Sequence, residues 1–173
     1  MYREYLGRNM RLAVIVNPDA GLGGRLGFKG SDGRAAEARA AGAQDRAGPR
    51  MRQCLEKLAE LAREPIEIIA WDGRMGGDWI PGEYTSTGVT PETTDASSTS
   101  DFIKAHSPDL FLYAGGDGTT RDIVEALGER NIPLVGVPGG VKMHSGCFAT
   151  TPKAAAEVVW SFVTGDLMVA RTE

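Results

Sequence analysis

Apolar runs that end in glycine clusters constrain the fold of this sequence more than any other feature. Residues 12–16 and 109–114 form largely apolar runs, and glycine-rich segments follow each of them. A continuous apolar run predicts a strand buried on both faces, as in a parallel sheet covered by helices. We therefore predict a Rossmann-like α/β domain of three layers with a mainly parallel sheet.

Strand and helix patterns alternate along the rest of the chain. An apolar stripe at i, i+3 and i+4 spacing predicts an amphipathic helix over residues 50–63. Residues 94–100 are rich in Ser and Thr, and we expect a loop there with a weakly helical lead-in to the next segment. This order fits one α/β domain over residues 10–173, preceded by an extension over residues 1–9. The weaker elements are strands over 66–71 and 132–137, an alanine-rich stretch over 34–47, and a short helix and strand within 73–93.

Capping residues mark the ends of two predicted helices. Thr119 is predicted to cap the helix after the second glycine cluster, with Asp122 bonding back to complete a capping box. Thr151 followed by Pro152 predicts the start of the last helix, and Gly165 suits its C-terminal end. The first of these helices begins at the carboxyl end of a strand, which is where open α/β sheets bind ligands.

Composition and charge exclude several classes of partner. The formal net charge is −4 at pH 7, so the chain lacks the basic footprint of a nucleic-acid-binding protein. The apolar run at 12–16 is far too short to span a bilayer, and residues 1–10 lack a signal-peptide pattern. Cys54 and Cys147 fit no metal-ligand spacing and are expected to be reduced, mostly buried thiols. We therefore expect a cytoplasmic protein with neither a membrane nor a nucleic-acid partner.

The turn over residues 115–118 has the composition of a phosphate-binding site. Glycine lets backbone N–H groups approach an anion, and a helix N-terminus adds unpaired N–H groups and a partial positive charge. The alternative is an ordinary tight strand–helix turn, which needs only one glycine, whereas three surround a single acid here. The composition therefore favours a phosphate site.

Asp117 is the acid inside that turn. A carboxylate repels phosphate, so its presence calls for a specific role. Asp117 either accepts the proton of an attacking hydroxyl or holds Mg²⁺, directly or through water. A structural interpretation, in which it caps its own helix, is compatible with either role.

The glycine-rich loop over residues 21–33 matches neither of the familiar nucleotide motifs. Leu26 stands where the dinucleotide fingerprint has its third glycine, and Lys29 precedes Gly30 instead of following a glycine before Ser or Thr. An ordinary Rossmann dehydrogenase and a P-loop nucleotide hydrolase are therefore not supported. Arg25 and Lys29 are candidate phosphate ligands, with solvated surface charge as the alternative.

A third glycine-containing segment, over residues 138–146, also follows a predicted strand. Lys142 is a candidate phosphate ligand in this segment. Ser145 is expected to cap a turn over 145–149, and His144 is interpreted as structural in preference to catalytic. The three glycine-rich segments thus all follow strands, and we expect them to meet at one edge of the sheet.

Several motifs resemble one kinase family. Gly-Gly-Asp-Gly-Thr at 115–119 resembles the hallmark of NAD kinases and of their superfamily, which includes diacylglycerol kinases and phosphofructokinases. Asn17-Pro18 followed by glycines is similar to the first-strand motif shared by NAD kinases and lipid kinases. Lys-Gly-Ser-Asp-Gly at 29–33 and Val-Lys-Met-His-Ser at 141–145 look like the ATP-NAD kinase-like branch that includes acetoin-catabolism X proteins.

The resemblance implies a reaction and a set of binding residues. ATP or polyphosphate would donate a phosphoryl group, with Mg²⁺ or another divalent cation, to the 2′-hydroxyl of NAD. Asp117 would orient or deprotonate that hydroxyl, and no residue is assigned as a metal ligand. The residues implied to bind the dinucleotide or the donor phosphates are Asn17, Gly21, Gly23, Gly24, Lys29, Gly115, Gly116, Gly118, Thr119, Thr120, Gly139, Gly140 and Lys142.

Two departures from the family pattern limit this implication. Pro-Gly-Gly-Val-Lys at 138–142 replaces the Asn-Gly-Leu-Gly-Phe-rich turn of standard NAD kinases, so nucleotide contacts there are expected to differ. The family continues into a β-rich domain that supplies an Asn-Glu or Asn-Asp dipeptide, and this sequence contains neither dipeptide. We therefore expect a fragment that is inactive alone, and a homo-oligomer for the complete protein.

Two other functions stay open at this point. One is a non-catalytic nucleotide-binding or regulatory module, and the other is a kinase of the same superfamily that acts on a lipid or a sugar. The sequence has no basic amphipathic stretch suited to a membrane surface, which argues against a lipid acceptor.

Overall fold

The computed structural model describes residues 8–22, 35–139 and 143–165. Within these ranges the chain forms five strands, five α-helices and a short 3-10 helix at Gly77–Trp79, and none of the helices is long and apolar enough to cross a bilayer. The strands are β1 (Met10–Val16), β2 (Ile66–Asp72), β3 (Thr85–Val89), β4 (Leu110–Gly115) and β5 (Leu134–Pro138). The helices are α1 (Ala35–Ala40), α2 (Ala47–Leu61), α3 (Ala96–Ala105), α4 (Asp117–Leu127) and α5 (Pro152–Thr164).

The strands form one parallel sheet in the order β3-β2-β1-β4-β5. The chain moves outward from β1 to β3 and then returns to place β4 on the other side of β1. The crevice between the carboxyl ends of β1 and β4 is therefore the topological switch point, where open α/β sheets bind ligands. The predicted α/β fold with a parallel sheet is confirmed.

Helices cover both faces of the sheet and create two separate cores. Leu12 and Val14 belong to the core shared with α2 and α5, whereas Ala13 and Ile15 belong to the core shared with α3 and α4. Alternate residues of a strand lie on opposite faces, so both sets must be apolar. Complete burial of a Val, Leu or Ile side chain contributes about 1.5–3 kcal/mol. This two-sided burial explains why β1 is a continuous apolar run.

Several predicted elements are confirmed with small shifts at their ends. The helix predicted over 50–63 is α2, and the strand predicted over 132–137 is β5. Thr151 caps α5, because its hydroxyl accepts a hydrogen bond from the N–H of Ala154 at 3.0 Å. Gly165 ends α5 in the left-handed conformation, with φ of 81°, which glycine adopts without strain.

The prediction of a loop over residues 94–100 is wrong. Helix α3 begins at Ala96, because the Asp95 carboxylate accepts hydrogen bonds from the N–H groups of Ser97 at 2.8 Å and Ser98 at 3.2 Å. The Ser98 hydroxyl accepts a bond in return from the N–H of Asp95 at 3.3 Å. This capping box satisfies the free donors of the first turn and outweighs the weak helix propensity of Ser and Thr.

The prediction that Thr119 caps the helix after β4 is also wrong. Gly116 takes the extended cap position and α4 begins at Asp117, so Thr119 lies inside the first turn. The Thr119 hydroxyl accepts a hydrogen bond from the N–H of Gly116 at 3.4 Å, which reverses the predicted direction. Asp122 consequently lies in the second turn, beyond the reach of a cap. The earlier start places the Asp117 side chain at the positive end of the helix.

Candidate active site

Three loops meet where β1, β4 and β5 end. The N–H of Asn17 donates to the carbonyl of Ala114, and the N–H of Gly139 donates to the carbonyl of Gly115, both at 2.9 Å. The side-chain N–H of Asn17 then donates to Thr119 Oγ1 at 2.9 Å, across the switch point. These bonds continue the pairing beyond the strands, so the three loops form one surface at the carboxyl rim of the sheet.

Three of the predicted phosphate-binding glycines allow close packing, Gly21 and Gly139 between loops and Gly115 against the first turn of α4. Gly21 has φ of 78°, and a Cβ at this position would overlap the carbonyl oxygen of Gly139. A Cβ on Gly139 would lie 2.9 Å from the Gly115 carbonyl oxygen, and one on Gly115 would lie 2.6 Å from the Cβ of Thr119. Glycine is needed at these positions to let the loops approach, and their binding of phosphate stays a prediction.

Gly116 and Gly118 have a different environment. A Cβ on either residue would meet no atom of the described structure within 4 Å. Gly116 caps α4 and Gly118 lies in its first turn, where backbone N–H groups have no partner within the helix. These glycines therefore leave open space beside the N–H groups of the first helical turn and the positive end of the helix dipole, an arrangement that suits a phosphate.

Asp117, between those two glycines, is clamped by the segment that follows β5. Its Oδ1 accepts hydrogen bonds from the Ser145 hydroxyl at 2.7 Å, the Ser145 N–H at 2.9 Å and the His144 N–H at 3.0 Å. The His144 N–H is shared with Oδ2, also at 3.0 Å. The Ser145 side chain therefore bonds to Asp117 across the site, and the prediction that it caps a turn of its own is wrong.

The hydrogen bonds from Ser145 and His144 stabilise the charged form of Asp117. These donors hold the pKa of the Asp117 carboxyl below its ordinary value, and the Ser145 hydroxyl is the largest cause. Hydrogen bonds to the charged form of an acid stabilise that form. Asp117 is therefore an anion at neutral pH, ready to accept a hydrogen bond.

An open depression of about 620 Å³ lies beside Asp117. Its volume is within the range of small-molecule sites, although it is open on one side. Thr120 borders it, but the Thr120 hydroxyl lies 2.6 Å from the buried hydroxyl of Tyr113, so its predicted contact with a nucleotide stays a prediction. The other lining residues are Arg121, Val124, Glu125, His144 and Ser145.

A model of the ATP-NAD kinase N-terminal domain family matches residues 12–167. The chain belongs to the ATP-NAD kinase family. An NAD kinase of Cytophaga hutchinsonii is 46% identical to it over 50 residues, which are 29% of this chain and 16% of that protein.

Two solved structures resemble this ATP-NAD kinase domain more loosely. A Bacillus anthracis protein provisionally described as a diacylglycerol kinase gives a TM-score of 0.48 at 17% identity, over 89% of this chain and 41% of that one. A UDP-N-acetylglucosamine 2-epimerase gives a TM-score of 0.39 at 12% identity, over 91% of this chain and 40% of the epimerase. The domain thus spans less than half the length of each of these relatives.

Part of the predicted site lies outside the residues that the structure describes. These residues are Gly23, Gly24, Arg25, Lys29, Gly140 and Lys142. Their predicted contacts with phosphate stay predictions.

The sequence did not reveal the ion pairs that anchor the first loop of the kinase domain. The Arg39 guanidinium donates to Asp19 at 2.7 Å and to Asp45 at 3.1 Å. The Thr94 hydroxyl donates to the other oxygen of Asp19 at 3.1 Å. Because Asp19 lies two residues after Asn17, these contacts fix the loop where it leaves β1. No spacing rule connects residues so far apart in the sequence.

Two arginines near the rim were missed as well. Arg50 donates to the carbonyl of Pro138, at the end of β5, at 2.7 Å, and Arg46 adjoins Gly21. Both lie at the start of α2, which has no acidic residue in its first turn and no side-chain cap. Basic residues are unfavourable at that end of a helix dipole. That local conflict was the signal in the sequence that could have identified them.

The described residues do not build a resident metal site. Among them, no group of three or more His, Cys, Asp or Glu side chains could hold a metal ion. Mg²⁺ in phosphoryl-transfer sites is typically held by substrate phosphates and water with only one or two carboxylates.

Proposed function

We propose that this chain is the phosphate-binding domain of an NAD kinase, which transfers a phosphoryl group from ATP or polyphosphate to the 2′-hydroxyl of NAD. The observation that carries the proposal is the position of Asp117, an anionic acid between two open glycines at the switch point of the sheet. Membership of the ATP-NAD kinase family supports the same chemistry.

Each part of the site has a role in this reaction. The N–H groups around Gly116 and Gly118 and the positive end of α4 would neutralise phosphate charge. The Asp117 carboxylate would accept the hydrogen bond of the 2′-hydroxyl and direct its oxygen toward the phosphorus. Phosphoryl transfer depends mainly on positioning and on charge neutralisation, so these groups match its main requirements.

We propose further that this domain forms one wall of the complete active site. The depression beside Asp117 is open, and the 50-residue match to an NAD kinase covers 16% of that protein. A second wall from the complete protein would hold the NAD adenosine and exclude water. On this proposal the chain alone binds phosphate groups without turnover, and the complete protein is a cytoplasmic homo-oligomer.

The test is NADP formation by the complete gene product, with ATP or polyphosphate as donor and Mg²⁺ present. Asp117→Asn should lower kcat at least ~100-fold, which is the low end for loss of a general base. Asp101→Asn, which changes an exposed acid on α3, is the matched control and should keep normal kcat. Thermal unfolding of both variants checks that the fold is intact.

Three results would count against the proposal. Normal turnover by Asp117→Asn would refute the role of that carboxylate. NAD binding without any NADP formation by the complete protein would favour a non-catalytic module. Phosphorylation of a lipid or sugar in preference to NAD would keep the chemistry but change the acceptor.

A further inference from the structure

The two oxygens of the Asp117 carboxylate are not equivalent. Oδ1 accepts three hydrogen bonds, from the Ser145 hydroxyl, the Ser145 N–H and the His144 N–H. Among the residues that the structure describes, Oδ2 shares only the His144 N–H. The lone pairs of Oδ1 are therefore largely occupied by protein donors, and those of Oδ2 are the ones left for an incoming group.

The segment that carries Ser145 is itself held in place by β5. The N–H of Gly136 donates to the Cys147 carbonyl at 2.8 Å, and the N–H of Ala149 donates to the Gly136 carbonyl at 3.0 Å. These bonds pair the segment with the outer edge of β5. The Ser145 donors thus reach Asp117 from a fixed strand edge, so they fix the rotation of the carboxylate.

We propose that Ser145 is a positioning residue that binds Oδ1 of Asp117 and so reserves Oδ2 for the acceptor hydroxyl. This inference rests on the proposed function, because it assigns different roles to the two oxygens of the same carboxylate. Ser145 does not touch the reacting atoms. It acts by occupying Oδ1, so that the acceptor hydroxyl meets Oδ2.

The clamp also explains why asparagine is an informative replacement for Asp117. All the groups that face Oδ1 are donors, so the asparagine side chain of Asp117→Asn would turn its carbonyl oxygen toward Ser145 and His144. Its NH₂ group would then take the Oδ2 position and present a donor to the acceptor hydroxyl. The Asp117→Asn variant should therefore fold with a small loss of stability, because its NH₂ group would face the His144 N–H that Oδ2 accepts at 3.0 Å, and it should lose the hydrogen-bond acceptor that the reaction needs.

The experiment compares Ser145→Ala with Ser145→Thr, which keeps the hydroxyl, and with Ser107→Ala, which truncates an exposed serine elsewhere. The first readout is ¹³C NMR titration of the Asp117 side chain in this chain, which needs no enzymatic activity. Ser145→Ala should raise the pKa of Asp117 toward the ordinary aspartate value of about 3.9, and the other two variants should leave it low.

The second readout is steady-state kinetics in the complete gene product. Ser145→Ala should lower kcat about tenfold with little change in KM for NAD, and Ser145→Thr should restore most of it. An unchanged Asp117 titration in Ser145→Ala would overturn the clamp. A raised pKa with normal kcat would overturn the positioning role while leaving the proposed function intact. If the wild-type protein forms no NADP, the proposed function fails and the titration still tests the clamp separately.

Discussion

Two turns at the same rim of the sheet combine glycine with an acid, but one is filled by the protein and the other is open. The turn after β2 follows Asp72, the last residue of that strand, and contains Gly73, Gly76 and Gly77. Its space is filled by the protein itself: a Cβ on Gly76 would lie 2.9 Å from both the Ala70 Cβ and the Trp71 carbonyl oxygen. The Asp72 carboxylate is used internally as well, because it accepts a hydrogen bond from the Tyr84 hydroxyl at 2.7 Å.

The turn after β4 is built from similar residues but is open. Gly116 and Gly118 have free space beside them, and Asp117 between them borders a depression. This turn lies at the β1–β4 switch point and starts a helix of eleven residues, whereas the other leads to a short 3-10 helix beside the edge strand β3. Glycines beside an acid thus indicate a ligand site only where topology leaves space and a helix supplies free N–H groups.

The first way to test this contrast is Gly118→Ala. The added methyl meets no neighbouring atom of the described residues within 4 Å, but it would occupy the space in which a phosphate oxygen must approach the backbone. We expect kcat/KM of the complete protein to fall at least about tenfold, the effect of losing one hydrogen bond to a charged group. The melting temperature should stay the same or rise slightly, since alanine favours a helix over glycine by up to about 1 kcal/mol. Wild-type kinetics in this variant would show that the turn is not a phosphate site.

A glycine-to-alanine substitution in the turn after β2 should lower stability and leave nucleotide binding unchanged. Gly76→Ala adds a methyl against a backbone oxygen and a buried side chain, and overpacking of this kind costs about 1–3 kcal/mol. For a chain of this size we expect the melting temperature, followed by circular dichroism, to fall by roughly 2–12 °C. The KM for nucleotide should not change. A Gly76→Ala variant that melts normally but binds nucleotide poorly would reverse the assignment of the two turns.

The smallest effect that we expect is the contribution of the Asp117 carboxylate to the pH dependence of stability. The folded-state pKa of Asp117 is lowered, so its contribution to stability is complete above the unfolded value of about 3.9 and is lost as the pH falls through the folded pKa. The free energy of unfolding of the wild type should exceed that of Asp117→Asn at pH 7, and the difference should shrink as the pH falls below about 4. Urea unfolding between pH 7 and pH 3 measures this. Asp95→Asn, which removes another acid of lowered pKa, should follow the same pattern, and a difference that grows toward low pH would contradict the clamp.

The sequence was sufficient to predict the parallel sheet. Continuous apolar runs predict strands buried on both faces, and the order of strands and helices predicts a parallel sheet. The start of α3 was missed because one residue, Asp95, overrides the composition of the Ser- and Thr-rich segment behind it. The start of α4 was misplaced because Thr119 has the chemistry of a cap but belongs to the first turn.

The candidate site could be predicted only in part, because contacts between residues far apart in the sequence build it. The Asp117–Ser145 bond joins residues 28 apart, and the Asn17–Thr119 bond joins residues 102 apart. Neither follows from a local pattern. Composition also does not distinguish a packing glycine such as Gly115 from an open one, because only the folded structure shows what an added Cβ would meet.

An NMR titration of this chain, labelled with ¹⁵N, with ATP and Mg²⁺ and, separately, with NAD, shows directly whether the turn after β4 binds nucleotide phosphate. We expect the amide signals of Gly116, Asp117 and Gly118 to shift with added nucleotide while those of Gly76 and Gly77 do not move. Unshifted signals at residues 116–118 in saturating nucleotide, or shifts confined to the turn after β2, would contradict it.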